Sequence, residues 1–200
     1  NYNGWEDMAY PYYKNHNTCM FVIRRYEPGE LKGSTKKQLV PWAYCEIHKD
    51  WCKGIIEDNR PLFNTQYFIL PDLKDKPVVI VEGEKAVYWG DRKLNYKGEY
   101  PDLLLDQKYN FVTWSGGSNS VHKSDFSILK NRKAILFPDN DEEGSRAMHH
   151  VAKILLENDI TEDISIIDGH KEFEEGWDIA DPIDAAGVTP ESLIEGAKEY

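Results

Sequence analysis

Long apolar runs are missing from this 200-residue chain. None approaches the ~18–20 consecutive apolar residues of a membrane-spanning helix, and no signal-peptide pattern opens it. No membrane partner is therefore expected. Cysteine is scarce: Cys19, Cys45 and Cys52 are the three present. An odd number with no export signal argues against a disulfide framework and for reduced thiols in a cytoplasm. Positive charge is short as well, with 24 Lys and Arg against 35 Asp and Glu, a net −11. That balance speaks against a broadly basic nucleic-acid surface. An ATPase P-loop is absent, and the chain opens on Asn1 rather than Met, which reads as a piece of something longer.

What is present describes a soluble globular protein, with 40% hydrophobic and 30% charged residues. The length allows one ordinary domain plus a smaller appendage. Much of the acidic excess falls in Glu142-Glu143, Glu162-Asp163 and residues 172–175, which read as solvated turns and helix ends. A local basic groove remains compatible with the overall charge.

Two stretches organise the rest. Val78 to Val81 is a β-branched run that stops at Glu82-Gly83. A short unbroken apolar run suits a strand buried on both faces of a parallel sheet, and its C-terminal tip is where open α/β sheets put ligands. The pattern returns in Ala134-Ile-Leu-Phe137, followed by Asp139 and Asp141. Three carboxylates at two strand tips repel one another unless a cation joins them, and an oxygen-only set favours Mg²⁺ or Mn²⁺. Strand and helix patterns alternate from residue 77 onward, predicting a doubly wound, mainly parallel α/β sheet with helices on both faces. Residues 84–93 read as a helix entered through Gly83, and residues 94–108 as an insertion. Ser124 to Lys130 reads as another helix. A long amphipathic one opens at Asp141-Glu-Glu-Gly144, with Ala147, Met148, Val151, Ile154 and Leu155 on one face. Glu142 and Glu143 suit the dipole of its first turn.

Residues 1–59 have another texture. Tyr10 to Tyr13, Cys19 to Arg24 and Leu39 to Tyr44 read as short strands of a small antiparallel β region, leaving 60–200 as the main domain. Arg24 and Arg25 end one strand; they are either a solvated hairpin or a basic rim for template or nucleotide phosphates. His16-x2-Cys19 and Cys45-x2-His-x3-Cys52 are loosely ligand-like. They do not reproduce a familiar knuckle, and cysteine often serves as a small buried hydrophobe, so zinc is not expected. Gly116-Gly117 follow a strand predicted over 109–114. Such a pair forms either a tight turn or a close approach to phosphate. Asp178 and Asp181 are read in a loop before a helix, where a plain N-cap explains one of them.

Val81-Glu-Gly-Glu-Lys85 followed by Pro138-Asp-Asn-Asp-Glu-Glu-Gly144 resembles the two signature motifs of the TOPRIM fold of primases, topoisomerases and some nucleases. Arg60-Pro-Leu-Phe-Asn64, Thr113-Trp-Ser-Gly-Gly117 and Gly176-Trp-Asp-Ile-Ala-Asp181 narrow the resemblance to the primases of phages and mobile elements, over roughly residues 60–187. The resemblance implies a DNA primase core in a bacterial host cytoplasm, making short RNA primers from NTPs on a single-stranded DNA template. A replicative helicase would act in the same or another chain. It implies Mg²⁺ or Mn²⁺ on Glu82, Asp139, Asp141 and Asp178, with Glu82 as ligand or base and Lys85 at a phosphate oxygen. Gly116 and Gly117 would approach nucleotide. One departure stands out. Many primases carry a second acid four residues after the glutamate, where this chain has Ala86, so a two-metal complement is not implied. A TOPRIM nuclease, and a non-catalytic nucleotide- or nucleic-acid-binding module of a larger replication protein, are the alternatives.

Overall fold

The computed structural model describes residues 9–15, 18–66, 68, 70, 73–95, 108–168, 172–182 and 188–200, with the side chains of 91–95 excepted. His16 and most of the 94–108 insertion lie outside the described residues. The fold is mixed α/β, built on two main sheets.

The N-terminal sheet is antiparallel, in the order β1 (Ala9–Asn15), β2 (Thr18–Tyr26), β3 (Gln38–Cys45) and β4 (Asp50–Lys53). The sequence suggested the first three strands. β4 escaped because its four residues, Asp-Trp-Cys-Lys, carry no apolar alternation. One face of β1 and β2 contributes Tyr10, Tyr12, Phe21 and Ile23 to a small core that continues into Phe63. The Tyr12 and Phe21 rings stack at 4.4 Å.

The second sheet is centred on β6 (Val78–Val81), between β7 (Asn110–Val112) and β9 (Ala134–Phe137), both parallel to it. Beyond β9 lie β10 (Ile164–Ile166), parallel, and β11 (Lys198–Glu199), antiparallel. Every residue of β6, β7 and β9 is buried, as their continuous apolar runs require. Side-chain alternation divides them between two layers. Val78, Ile80, Val112 and Leu136 pack with Met148, Val151, Ala152 and Leu155 of helix α2 (Glu142–Glu157). Val79, Val81, Phe111 and Phe137 pack with Ala86 and Val87 of α1 (Glu84–Asn95) and with Leu193 and Ile194 of α3 (Pro190–Glu195). Among the described residues no helix is long and apolar enough to cross a membrane.

One local expectation is corrected. Residues 124–130 are not a helix. Ser124–Asp125 forms β8, pairing with β5 (Arg60–Pro61), and Ser127–Leu129 is a single 3₁₀ turn. The Asp125 side chain accepts the Ser127 N–H at 2.9 Å just ahead of the turn, and Phe126 and Leu129 are buried three residues apart, a spacing that suits 3₁₀ geometry. The helix read just after Asp178 and Asp181 falls on residues outside those described; the described α3 is capped by Thr189 in a reciprocal box with Ser192.

The two sheets are tied together by one buried hydrogen bond. The Tyr12 hydroxyl of β1 donates at 2.6 Å to Glu84, the first residue of α1. Burial pushes the Glu84 carboxyl up, and the tyrosine partly offsets this. Tyr12→Phe leaves that carboxylate unpaired and should cost about 1–3 kcal/mol. Because the folded-state pKa lies above the unfolded one, the penalty on the charged form is small below the ordinary Glu range and grows as pH rises. Urea midpoints of the two proteins at pH 4 and pH 8 check this: their gap should be wider at pH 8.

Candidate metal centre at the carboxyl edge of the sheet

The register of β6 with β9 pairs Val81 with Phe137, so the chain leaves both strands at the same edge, at Glu82 and Pro138. Gly83 then takes φ 84°, a left-handed turn that side-chained residues disfavour. Its N–H is held by the Thr113 hydroxyl at 3.0 Å. From β7 the chain passes through Gly116 and Gly117, at φ 93° and 71°, to Ser118, whose backbone N–H bonds the Glu82 carboxylate. On the far side Gly144, near the start of α2, lies against Asp139: a Cβ there would meet the Asp139 carbonyl oxygen at 2.8 Å and its nitrogen at 2.9 Å. Only glycine lets the helix start this close to that loop.

These turns enclose a cleft of about 380 Å³, lined by Glu82, Asp139, Asp141 and Glu143 on one side and residues 116–119 on the other. Of these four carboxylates, the two most enclosed, Asp139 and Glu82, are raised by burial and by their like-charged neighbours. Asp139 is pushed up to about 8, first by burial and then by Glu82, Asp178, Asp141 and Asp181. Glu82 is raised by burial, Asp141 and Glu143. Asp141 also works as the N-cap of α2, its Oδ1 accepting the Gly144 N–H at 2.6 Å, which leaves its second oxygen for a ligand. Glu143 lies in the first turn of α2, as the helix-dipole reading expected, and in addition reaches the cleft and accepts from the Ser118 hydroxyl.

Asp178 stands in a neighbouring loop tied to this edge by backbone. The Asn140 N–H donates to Trp177 O and the Gly176 N–H to Asn140 O, both at 2.9 Å. Trp177 stacks on Phe173 at 4.4 Å and is anchored in the core. Burial raises the Asp178 carboxyl and Lys85 lowers it. Lys85 faces Asp181 at 3.8 Å, with its side chain 40% exposed. Arg24 and Arg25 do not line the cleft. Arg24 covers the Tyr26 ring and Arg25 bonds Glu27. Arg60, by contrast, is buried behind the glycine turn, its guanidinium within 3.4 Å of where a Gly116 Cβ would sit, with its Nε bonded to Ile56 O at 2.7 Å. An arginine beside Pro61 gives no local signal of that burial.

The donor set is hard oxygen, rich in negative charge and short of cations. That chemistry fits Mg²⁺ or Mn²⁺.

A family model described as Toprim-like matches residues 102–176, a span that includes Asp139 and Asp141 and begins after Glu82. The match supports a TOPRIM domain, and with it a metal-dependent function on nucleic acid. No curated protein and no solved structure matches the chain.

The raised Asp139 has a measurable signature in chelator-treated protein. Its folded pKa exceeds its unfolded value, so the protein loses stability as pH rises from about 4 to about 8. Asp139→Asn removes that penalty. The variant should match the parent near pH 4 and exceed it by on the order of a few kcal/mol at pH 8, while no longer binding Mn²⁺. Parallel thermal melts across that range, with calorimetric Mn²⁺ titrations, check both halves.

Proposed function

We propose that this chain is the TOPRIM catalytic core of a DNA primase, joining ribonucleotides on a single-stranded DNA template. The observation that carries the reading is the convergence of Glu82, Asp139 and Asp141, from the ends of two adjacent parallel strands, on one cleft beside a glycine turn. TOPRIM domains bind Mg²⁺ in general, and here Asp139 and Asp141 would hold it with Asp178 alongside. When bound, the cation supplies neutralisation of phosphate charge.

The chain's own groups divide the remaining work. Glu82 has a carboxyl raised above its usual range by burial and acidic neighbours, which brings its basicity closer to neutral pH. It takes the proton of the attacking 3′-hydroxyl as that oxygen bonds to the α-phosphorus and pyrophosphate leaves. The Ser118 N–H fixes the orientation of Glu82. Gly116 and Gly117 let the nucleotide phosphates approach backbone. Lys85 is exposed enough to leave Asp181 for a phosphate oxygen. Arg24 and Arg25, at the end of β2, would guide template phosphates outside the cleft. The primase assignment over other TOPRIM chemistries rests on the resemblance of the Arg60–Asn64, Thr113–Gly117 and Gly176–Asp181 segments.

Glu82→Gln keeps the shape and removes the base. NTP and single-stranded DNA affinities should stay within a few-fold, while dinucleotide formation under saturating Mg²⁺ should fall ~10²–10⁴-fold. The assay uses the chain with single-stranded DNA and labelled NTPs. Shortened DNA in place of primers would assign the cleft to a nuclease; binding without chemistry would leave a binding module.

A further inference from the structure

A second set of ligand atoms lies at the edge of the N-terminal sheet, in groups that the reaction above does not use. β3 and β4 are joined by the turn 46–49, and their register pairs Ala43 with Cys52 and Cys45 with Asp50. Opposed residues of an antiparallel pair share a face, so Cys45 and Cys52 are diagonal neighbours on one side of the hairpin. The turn, with Lys49 at φ 52°, brings His48 back over that side. Its Nδ1 stands 3.7 Å from Cys52 Sγ. One donor atom from each of Cys45, His48 and Cys52 lies within 4.8 Å of the other two; among the described residues no other three His, Cys, Asp or Glu side chains come so close.

That spacing suits a metal. Tetrahedral Zn²⁺, with sulfur at ~2.3 Å and nitrogen at ~2.0–2.1 Å, holds its donors about 3.5–3.8 Å apart. The backbone also favours a sulfur anion at one corner. The N–H groups of His48 and Ile47 point at Cys45 and hold its thiol below the usual value, whereas burial and the neighbouring Cys45 push Cys52 up. Cys45 thus offers a ready thiolate, and Cys52 releases its proton to solvent as the second sulfur–metal bond forms.

We propose that Cys45, His48 and Cys52 bind a single Zn²⁺ that fastens the tip of the β3–β4 hairpin, leaving its fourth position open to solvent. The hairpin end is otherwise held by the exposed Glu46–Lys49 pair at 2.6 Å and the edge contact of Tyr44 with Trp51. Three of the four β4 residues are exposed, and Ile47 at the turn is 89% exposed. The site is sulfur-rich and soft, unlike the oxygen set at the sheet edge, so the two centres select different ions.

The test uses the full chain, reduced and stripped of metal, titrated with Co²⁺ as a spectroscopic stand-in for Zn²⁺. A thiolate-to-cobalt charge-transfer band should grow to saturation at one ion per chain and disappear when Zn²⁺ is added. It should persist in Asp139→Asn, vanish in Cys45→Ser and Cys52→Ser, and need at least ~10-fold more Co²⁺ in His48→Ala, since even outer-shell losses cost 10–100-fold. Circular dichroism of the variants should match the parent, because His48 is exposed and neither cysteine is fully buried. Absence of the band in the reduced parent chain, or its survival in both serine variants, overturns the proposal. So does thiol counting that shows a Cys45–Cys52 disulfide forming in the presence of equimolar Zn²⁺.

Discussion

β6 is four residues with no exposed side chain, held between two partner strands and beneath two helical layers, and its place fixes most of what surrounds it. Its register with β9 is set by apolar matching, and slipping it by one residue would turn each side chain toward the wrong layer. The same register brings Glu82 level with Pro138 and so sets Asp139 close to it. The distance between the acids is thus decided by the core rather than by the acids, which would separate if they were free to. The strain of that arrangement appears in Asp139, pushed to about 8, and is carried by the burial of the strands behind it.

The parts of this arrangement carried by local pattern were legible in the sequence. Runs of Val, Ile and Leu ending in acids marked β6 and β9, and a 3.6-residue period marked α2. What local pattern does not carry was missed. β4 is half polar and acquires its structure from pairing with β3. The Ser118–Glu143 contact and the burial of Arg60 depend on which loops meet at the sheet edge. Asp141 was legible as a carboxylate at a strand tip, but its second duty as the N-cap of α2 depends on where that helix starts. The cysteine–histidine trio was visible as a spacing and set aside as one, because its convergence comes from a hairpin register that spacing does not encode.

The Asn140 and Trp177 contacts show how a loop distant in sequence is held beside the acidic edge of the sheet. Asn140 gives its side-chain amide to Phe173 O at 2.8 Å and to Glu174 O at 3.0 Å, besides its two backbone bonds. Asp178 therefore takes its position from the residue between Asp139 and Asp141. The order Asp-Asn-Asp places two carboxylates at the cleft and spends the middle side chain on bringing in a third.

The Tyr12–Glu84 bond bears on how the molecule can move. Glu84 lies between Glu82 and Lys85 in sequence, so the tyrosine moors the N-terminal sheet to the turn that presents Glu82 to the cleft. Swinging that sheet away as a hinged flap would leave a carboxylate stranded in an apolar layer, at a free-energy cost that opposes opening. A force applied to the N-terminal sheet would therefore pull on a surface braced against the cleft, and the two would travel as one piece.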